Sequence, residues 1–310
     1  MTSGELVLSH YSMRHASFRD RVQAAASAGF SGIGLKIAEY ERLSAQGISD
    51  TQLSDVLAED DQRVVECEAV RGWASTGAAH EEYRQSLDTI DRMVEAFGPP
   101  HHVQVIGPYE GDLDDAAEGF ANVCRWLDDR GSRAAIEYLP EMSNIPDAVS
   151  AWDIVRAAAA DNGGLCVDAW HHFRGPDDFD ELASVPGERV IDVQLNDGLL
   201  TRQDPDYYTD CTSYRVVPGQ GDFDLVGFIR TLDGMGVDVP ISIEVISLEL
   251  DQLPPVEAAR RIADGARSVL AQARERSAGR IRAPALQIPM HRQDRSCIVG
   301  AVSDAAEPFR

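Results

Sequence analysis

Residues 165–172 read Leu-Cys-Val-Asp-Ala-Trp-His-His, a short apolar run that ends on a carboxylate. The pattern recurs on both sides. Ala134-Ala135-Ile136-Glu137-Tyr138-Leu139-Pro140 precedes it, and Val190-Ile191-Asp192-Val193-Gln194-Leu195-Asn196-Asp197 and Ile241-Ser242-Ile243-Glu244-Val245 follow. Each belongs to a set of short apolar runs rich in Val, Ile and Leu and reads as a buried strand. Working outward, further apolar runs cover 6–9, 32–37, 63–70 and 102–106, giving eight candidate strands. Near-continuous apolarity suits parallel strands covered on both faces.

Segments of helical period lie between the runs, at 18–28, 50–59, 80–97, 113–129, 146–160, 225–232 and 256–276. Gly29 suits a helix stop, Ser49 an N-cap, and Pro146 and Pro255 first-turn positions. Eight strand–helix alternations predict an α/β fold, a single (β/α)8 TIM barrel over 1–277 with an irregular C-terminal tail over 278–310. A doubly wound sheet is the alternative. Ser9-His10-Tyr11-Ser12-Met13, after the first strand, carries no glycine and so no dinucleotide fingerprint. The tail holds five arginines against three acidic residues and lacks periodicity.

The whole chain of 310 residues carries 28 basic and 52 acidic residues, a formal charge of −24. That field repels phosphate backbones and anionic lipid, so nucleic acid and membrane are excluded as default partners. No apolar run approaches the ~18 residues of a membrane span, and no signal peptide is legible, which predicts a cytoplasmic protein. Five scattered cysteines without a CxxC fit reduced thiols better than disulfides or a zinc ribbon.

In such a barrel the active site lies at the C-terminal ends of the strands. Glu137, Asp168, Gln194 and Glu244 end four successive strands inside apolar sequence. Buried carboxylates are costly unless paired or metal-bound, and several converging ones repel each other without a cation. The four are therefore candidate metal ligands; satisfaction by Arg71, Arg174 or Arg215 is the alternative. An all-oxygen donor set prefers Mn2+ or Mg2+, with Co2+ as a substitute.

At these residues the sequence resembles the xylose isomerase-like TIM barrel superfamily of sugar isomerases and epimerases, which also includes inosose and 3-dehydroshikimate dehydratases. The resemblance rests on the IEYLP, VDAWHH, VQLND, RVVPGQGDFD and ISIEV segments and spans roughly 5–275. It implies one divalent metal held by Glu137, Asp168, Gln194 and Glu244. Gln194 departs from the histidine commoner in the epimerases and matches the dehydratase-type members. The resemblance also implies that His171, at a strand end and not on a helix, faces the substrate, and that Arg215 holds a substrate oxygen. Adjacent His172 leaves the choice of histidine open. The neighbouring endonuclease IV pattern is excluded by the acidic charge and the missing extra histidines.

Trp170, Arg71, Lys36 and His10 also sit near strand ends and are candidate substrate contacts; Lys36 is the single lysine. The Pro218-Gly219-Gln220-Gly221 turn follows the seventh strand, where barrels bind phosphate through backbone N–H groups. The expected activity is proton abstraction beside a carbonyl of a small sugar or carbocyclic keto substrate, through an enediolate. Glu137 and Glu244 are the candidate bases and His171 an acid. Isomerisation or epimerisation is ranked first, β-elimination of water second, and a non-catalytic metabolite-binding barrel last. The resemblance also implies a homo-oligomer, as is common among such barrels.

Overall fold

The computed structural model describes residues 4–280. Eight parallel strands close into a barrel in sequence order: β1 Leu6–Leu8, β2 Gly32–Lys36, β3 Val64–Val70, β4 His102–Val105, β5 Arg133–Glu137, β6 Gly163–Asp168, β7 Val190–Leu195 and β8 Ile241–Ile243. Closure comes from β1 against β8, with Leu6 opposite Ile241 and Leu8 opposite Ile243. A closed sheet has no edge, which rules out the doubly wound alternative. The predicted strands are all present, several with tighter bounds.

Eleven helices surround the barrel among the described residues: α1 Phe18–Ala28, α2 Ile37–Ala45, α3 Asp50–Glu59, α4 Gly77–Phe97, α5 Leu113–Asp128, α6 Ala148–Ala158, α7 Ala169–Arg174, α8 Phe179–Ala183, α9 Tyr207–Cys211, α10 Leu225–Met235 and α11 Pro255–Arg280. Side chains start them. Ser49 and Gln52 form a reciprocal capping box on α3, as do Asp112 with Asp115 on α5 and Asp147 with Ser150 on α6. Gly29 ends α1 at φ 74°, a left-handed conformation that suits glycine.

Three expectations need correction. Pro146 precedes the Asp147 N-cap, so it ends the loop rather than opening the helix. His171 and His172 stand on α7, which starts immediately after β6 because the Asp168 side chain caps it. Helices α2, α7, α8 and α9 went unpredicted; all are short, and three of them have fewer than seven residues, too few for a period to show. The predicted tail lies outside the described residues except for 278–280, which extend α11. Cys67, Cys124, Cys166 and Cys211 are free and buried; Cys297 lies outside the described residues. Among the described residues no helix is long and apolar enough to cross a membrane.

The apolar core fills the space between strands and helices; Val22, Ile33, Val103, Phe120, Val193, Phe228 and Ile262 are all fully buried. The inside of the barrel differs. Gln104, Cys166, Asp192 and Gln194 are buried there with few apolar companions. Gly34 on β2 leaves space for one of these polar groups: a Cβ at that position would stand 2.3 Å from Glu66 Oε1.

Candidate active site at the barrel mouth

Glu137 ends β5, Asp168 ends β6, Gln194 is the last residue but one of β7, and Glu244 follows β8 directly. Register sets their level: Asp168 lies opposite Gln194 and Gln194 opposite Ser242. All four are buried, with Glu137 and Glu244 at 4% exposure.

Asp168 is held on one side by the Trp170 backbone N–H (2.8 Å) and the Asn196 amide (2.6 Å), both donating to Oδ1. Its Oδ2 turns inward. There Arg215 Nη1 donates to Asp168 Oδ2 and to Glu244 Oε2, each at 2.8 Å. His171 Nε2 lies 3.3 Å from Glu137 Oε1 and 3.4 Å from Asp168 Oδ2. One donor atom each from Glu137, Asp168 and His171 falls within 4.8 Å of the others. Gln194 Oε1 is buried with no hydrogen-bond partner. An orphaned amide oxygen beside converging carboxylates is what a hard cation would satisfy, so the donor set fits a divalent ion.

Burial pushes the Glu244 carboxyl well above the usual carboxylate range; Arg215 pulls it back in part, while Glu68 and Asp168 add to the rise. Ser9 Oγ reaches both Glu68 Oε1 (3.0 Å) and Glu244 Oε1 (3.3 Å).

His171 and His172 are separated by geometry. His172 stacks on Phe179 and meets Phe173 and Phe228, and burial pushes its pKa down to about 4. His171 faces the carboxylates, with Nδ1 hydrogen-bonded to the Tyr207 hydroxyl. Tyr207, Asn196 and Ser9 went unread as site residues. Asn196 carried a signal, since it continues the inward alternation of Asp192 and Gln194; Tyr207 carried none, because α9 arrives from a distant loop.

A cavity of about 190 Å³ opens on these groups, lined by Glu137, His171, Arg215 and Glu244 together with Tyr11 and Arg71. Arg71 is exposed there and, among the described residues, makes no ion pair. Lys36 lies in an adjoining pocket shared with Arg71 and Glu68, its ammonium 4.8 Å from the Tyr11 ring centre. Two expected substrate contacts, Trp170 and His10, line neither cavity. Trp170 is fully buried, its ring against Phe223 and the Arg174 guanidinium. His10 is turned to Glu39, with Nδ1 2.9 Å from its carboxylate, because Arg21 and Glu39 form a buried pair that draws the ring away from the mouth. Arg215 is likewise not a free anchor, since its guanidinium already holds two of the candidate ligands.

The turn expected to cradle phosphate is filled from within the chain. Asp197 Oδ2 accepts from the N–H groups of Gly219 and Gly221 (2.9 Å each), and Oδ1 accepts from Gly198 (2.8 Å) and Phe223 (3.2 Å). A carboxylate supplied by the protein takes the place of an external anion.

The profile of the xylose isomerase-like TIM barrel family matches residues 22–270. The chain belongs to that family. Two 3-dehydroshikimate dehydratases are similar to it. The one from Pseudomonas aeruginosa is 33% identical over 141 residues, 46% of this chain and 22% of that protein. The one from Pseudomonas putida is 24% identical over 258 residues, 81% of this chain and 39% of that protein. The chain therefore spans well under half the length of either. The inosose isomerase of Bacillus licheniformis is 27% identical over 157 residues, 48% of this chain and 49% of that protein. A crystal structure described as IOLI protein with a binding zinc atom superposes with a TM-score of 0.75 at 17% identity, over 87% of this chain and 99% of that one. This likeness concerns the fold.

Proposed function

We propose that this chain is a divalent-metal-dependent lyase that eliminates water from a small hydroxylated keto acid, of the kind that 3-dehydroshikimate represents. The observation that carries the reading is the convergence of Glu137, Asp168, Gln194 and Glu244 beside His171 at one barrel mouth. Glu137, Asp168, Gln194 and Glu244 would hold the ion, leaving His171 Nε2 beside them as a proton donor. When bound, the ion supplies Lewis-acid polarisation of the substrate carbonyl, which makes the neighbouring C–H acidic.

The chain's own groups do the rest. Glu137 or Glu244 takes the α-proton. The C–H electron pair forms the new C=C bond while the β C–O bond breaks. His171 delivers a proton to the departing hydroxyl, which leaves as water. Arg71, unpaired at the rim, binds the substrate carboxylate through its planar fork, and Lys36 adds positive charge beside it. Burial of the cavity floor excludes bulk water from the carbanion-like stage.

Two observations favour elimination over isomerisation. A relative matched over most of this chain is a dehydratase, and Gln194 stands where the resemblance to sugar epimerases would place histidine. The inosose isomerase match favours a second reading, in which the proton returns to a neighbouring carbon and no water is lost.

Both are decided by one experiment. The protein is loaded with Mn2+ and incubated in D2O with 3-dehydroshikimate and, separately, with inososes. Loss of 18 mass units, the mass of water, from the keto acid supports the lyase. Deuterium uptake with unchanged composition supports the isomerase. No exchange and no elimination with either class overturns the proposal.

A further inference from the structure

Deeper in the barrel, toward the N-terminal ends of the strands, lies a second group of ligating side chains that the proposed reaction does not use. Glu66 of β3, His102 of β4 and Asp192 of β7 point inward and are 1%, 3% and 2% exposed. One donor atom from each lies within 4.8 Å of the other two. His102 Nε2 is 3.3 Å from Asp192 Oδ2. Ser242 Oγ donates to Glu66 Oε1 (2.9 Å), and Cys166 Sγ lies 3.2 Å from Asp192 Oδ2. β3 and β7 are on opposite sides of the eight-stranded ring, so the group spans the barrel.

Among the described residues no arginine or lysine bonds to Glu66 or Asp192. His102 Nδ1 is buried and has no hydrogen-bond partner. Two acids and an imidazole thus converge in a dry interior with no arginine or lysine to serve them, an arrangement that buried groups relieve by sharing protons or by binding metal. Gly34 also points to a built site, since any side chain there would collide with Glu66.

We propose that Glu66, His102 and Asp192 bind a second divalent cation, distinct from the one at the mouth. Its charge cancels the two carboxylates, and His102 Nε2 supplies the nitrogen ligand. Imidazole and a neighbouring sulfur favour Zn2+ or Co2+ over Mg2+, whereas the oxygen-rich mouth favours Mn2+ or Mg2+. None of the three residues lines the cavity at the mouth, so the ion's role is structural, tying opposite barrel walls together. Asp192 and Gln194 are two residues apart on β7, which separates the two sites by about 7 Å, too far to share a ligand atom.

The test is metal analysis of the full chain after refolding with Zn2+ and Mn2+ supplied together. Nearly two equivalents per chain are expected. His102→Gln should lose one equivalent, chiefly Zn2+, and Asp168→Asn the other. An unchanged metal content in His102→Gln overturns the second site, whatever becomes of the mouth. Should His102→Gln fail to fold, anomalous scattering at the zinc edge from crystals of the Zn2+-loaded wild type decides. A peak between Glu66, His102 and Asp192 supports the site, and zinc at the mouth alone overturns it.

Discussion

The Tyr207 hydroxyl meets His171 Nδ1, and that bond determines which ring nitrogen the mouth receives. With Nδ1 engaged, Nε2 faces Glu137 and Asp168. Tyr207→Phe removes the restraint and leaves the ring's outline unchanged. Groups that orient a ligating or acid histidine typically contribute 10–100-fold, so a loss of roughly 10-fold or more in kcat is expected, with a native circular dichroism spectrum. Wild-type turnover in Tyr207→Phe would show that His171 needs no such support.

Glu244 bonds to Arg215 and Ser9 and closes the side of the mouth facing β1. Glu244→Gln keeps the shape but cannot accept a proton. Removal of a general base costs about 10²–10⁴-fold, so turnover should fall by at least about a hundredfold. Full activity in this variant, measured with Mn2+ at saturation, would dismiss Glu244 from the chemistry.

Arg71 separates a carboxylate-bearing substrate from a neutral one. A hydrogen-bonded charge pair contributes about 1.5–3 kcal/mol, which is roughly 10–100-fold in affinity. Arg71→Gln is expected to raise KM for the keto acid by that factor while leaving kcat nearly intact. Arg71→Lys should recover only part, because an ammonium lacks the planar fork. Equal KM values for wild type and Arg71→Gln would count against the carboxylate anchor.

Acid should unfold this protein partly through Glu39. Burial alone would raise its carboxyl, yet the contacts from His10 and Arg21 outweigh that and bring it to about 2. Its folded pKa is thus below its unfolded value near 4.5. The stabilisation is complete above about pH 4.5 and is lost as the pH falls toward 2. The linkage is on the order of 3 kcal/mol at most. Urea midpoints measured from pH 6 to pH 2.5 should fall more steeply for the wild type than for Glu39→Gln. Parallel slopes would mean that the pair adds nothing.

Asp197 latches the 218–221 turn through backbone N–H groups. Asp197→Ala leaves those donors without their acceptor, at an expected cost of about 3 kcal/mol. Added phosphate or sulfate should restore part of the lost stability by occupying the emptied cradle. A melting temperature unchanged by the substitution would show that water serves the turn equally well.

The architecture and its polar seam were legible because both rest on local order. Strands 5 to 8 each combine an apolar run with an oxygen-bearing residue at its end, and a parallel barrel places all such ends on one face. Chain order alone therefore indicated that Glu137, Asp168, Gln194 and Glu244 would be neighbours. It could not show which way a ring turns. His10 and His171 follow strands in much the same manner, yet the buried Arg21–Glu39 pair captures the first, and Tyr207 with two carboxylates holds the second. Trp170 looked like a stacking surface, but Phe223 and Arg174, distant in sequence, enclose it.

Periodicity and residue type thus determined the fold class and the end of the barrel at which the oxygen-bearing side chains gather, since these depend on spacing within single segments. Packing across the closed sheet decided the rest. It settled which histidine faces inward, turned Asp197 into an internal anion, and set Glu66, His102 and Asp192 together from strands on opposite walls. Such contacts join residues far apart in the chain, and no local pattern encodes them.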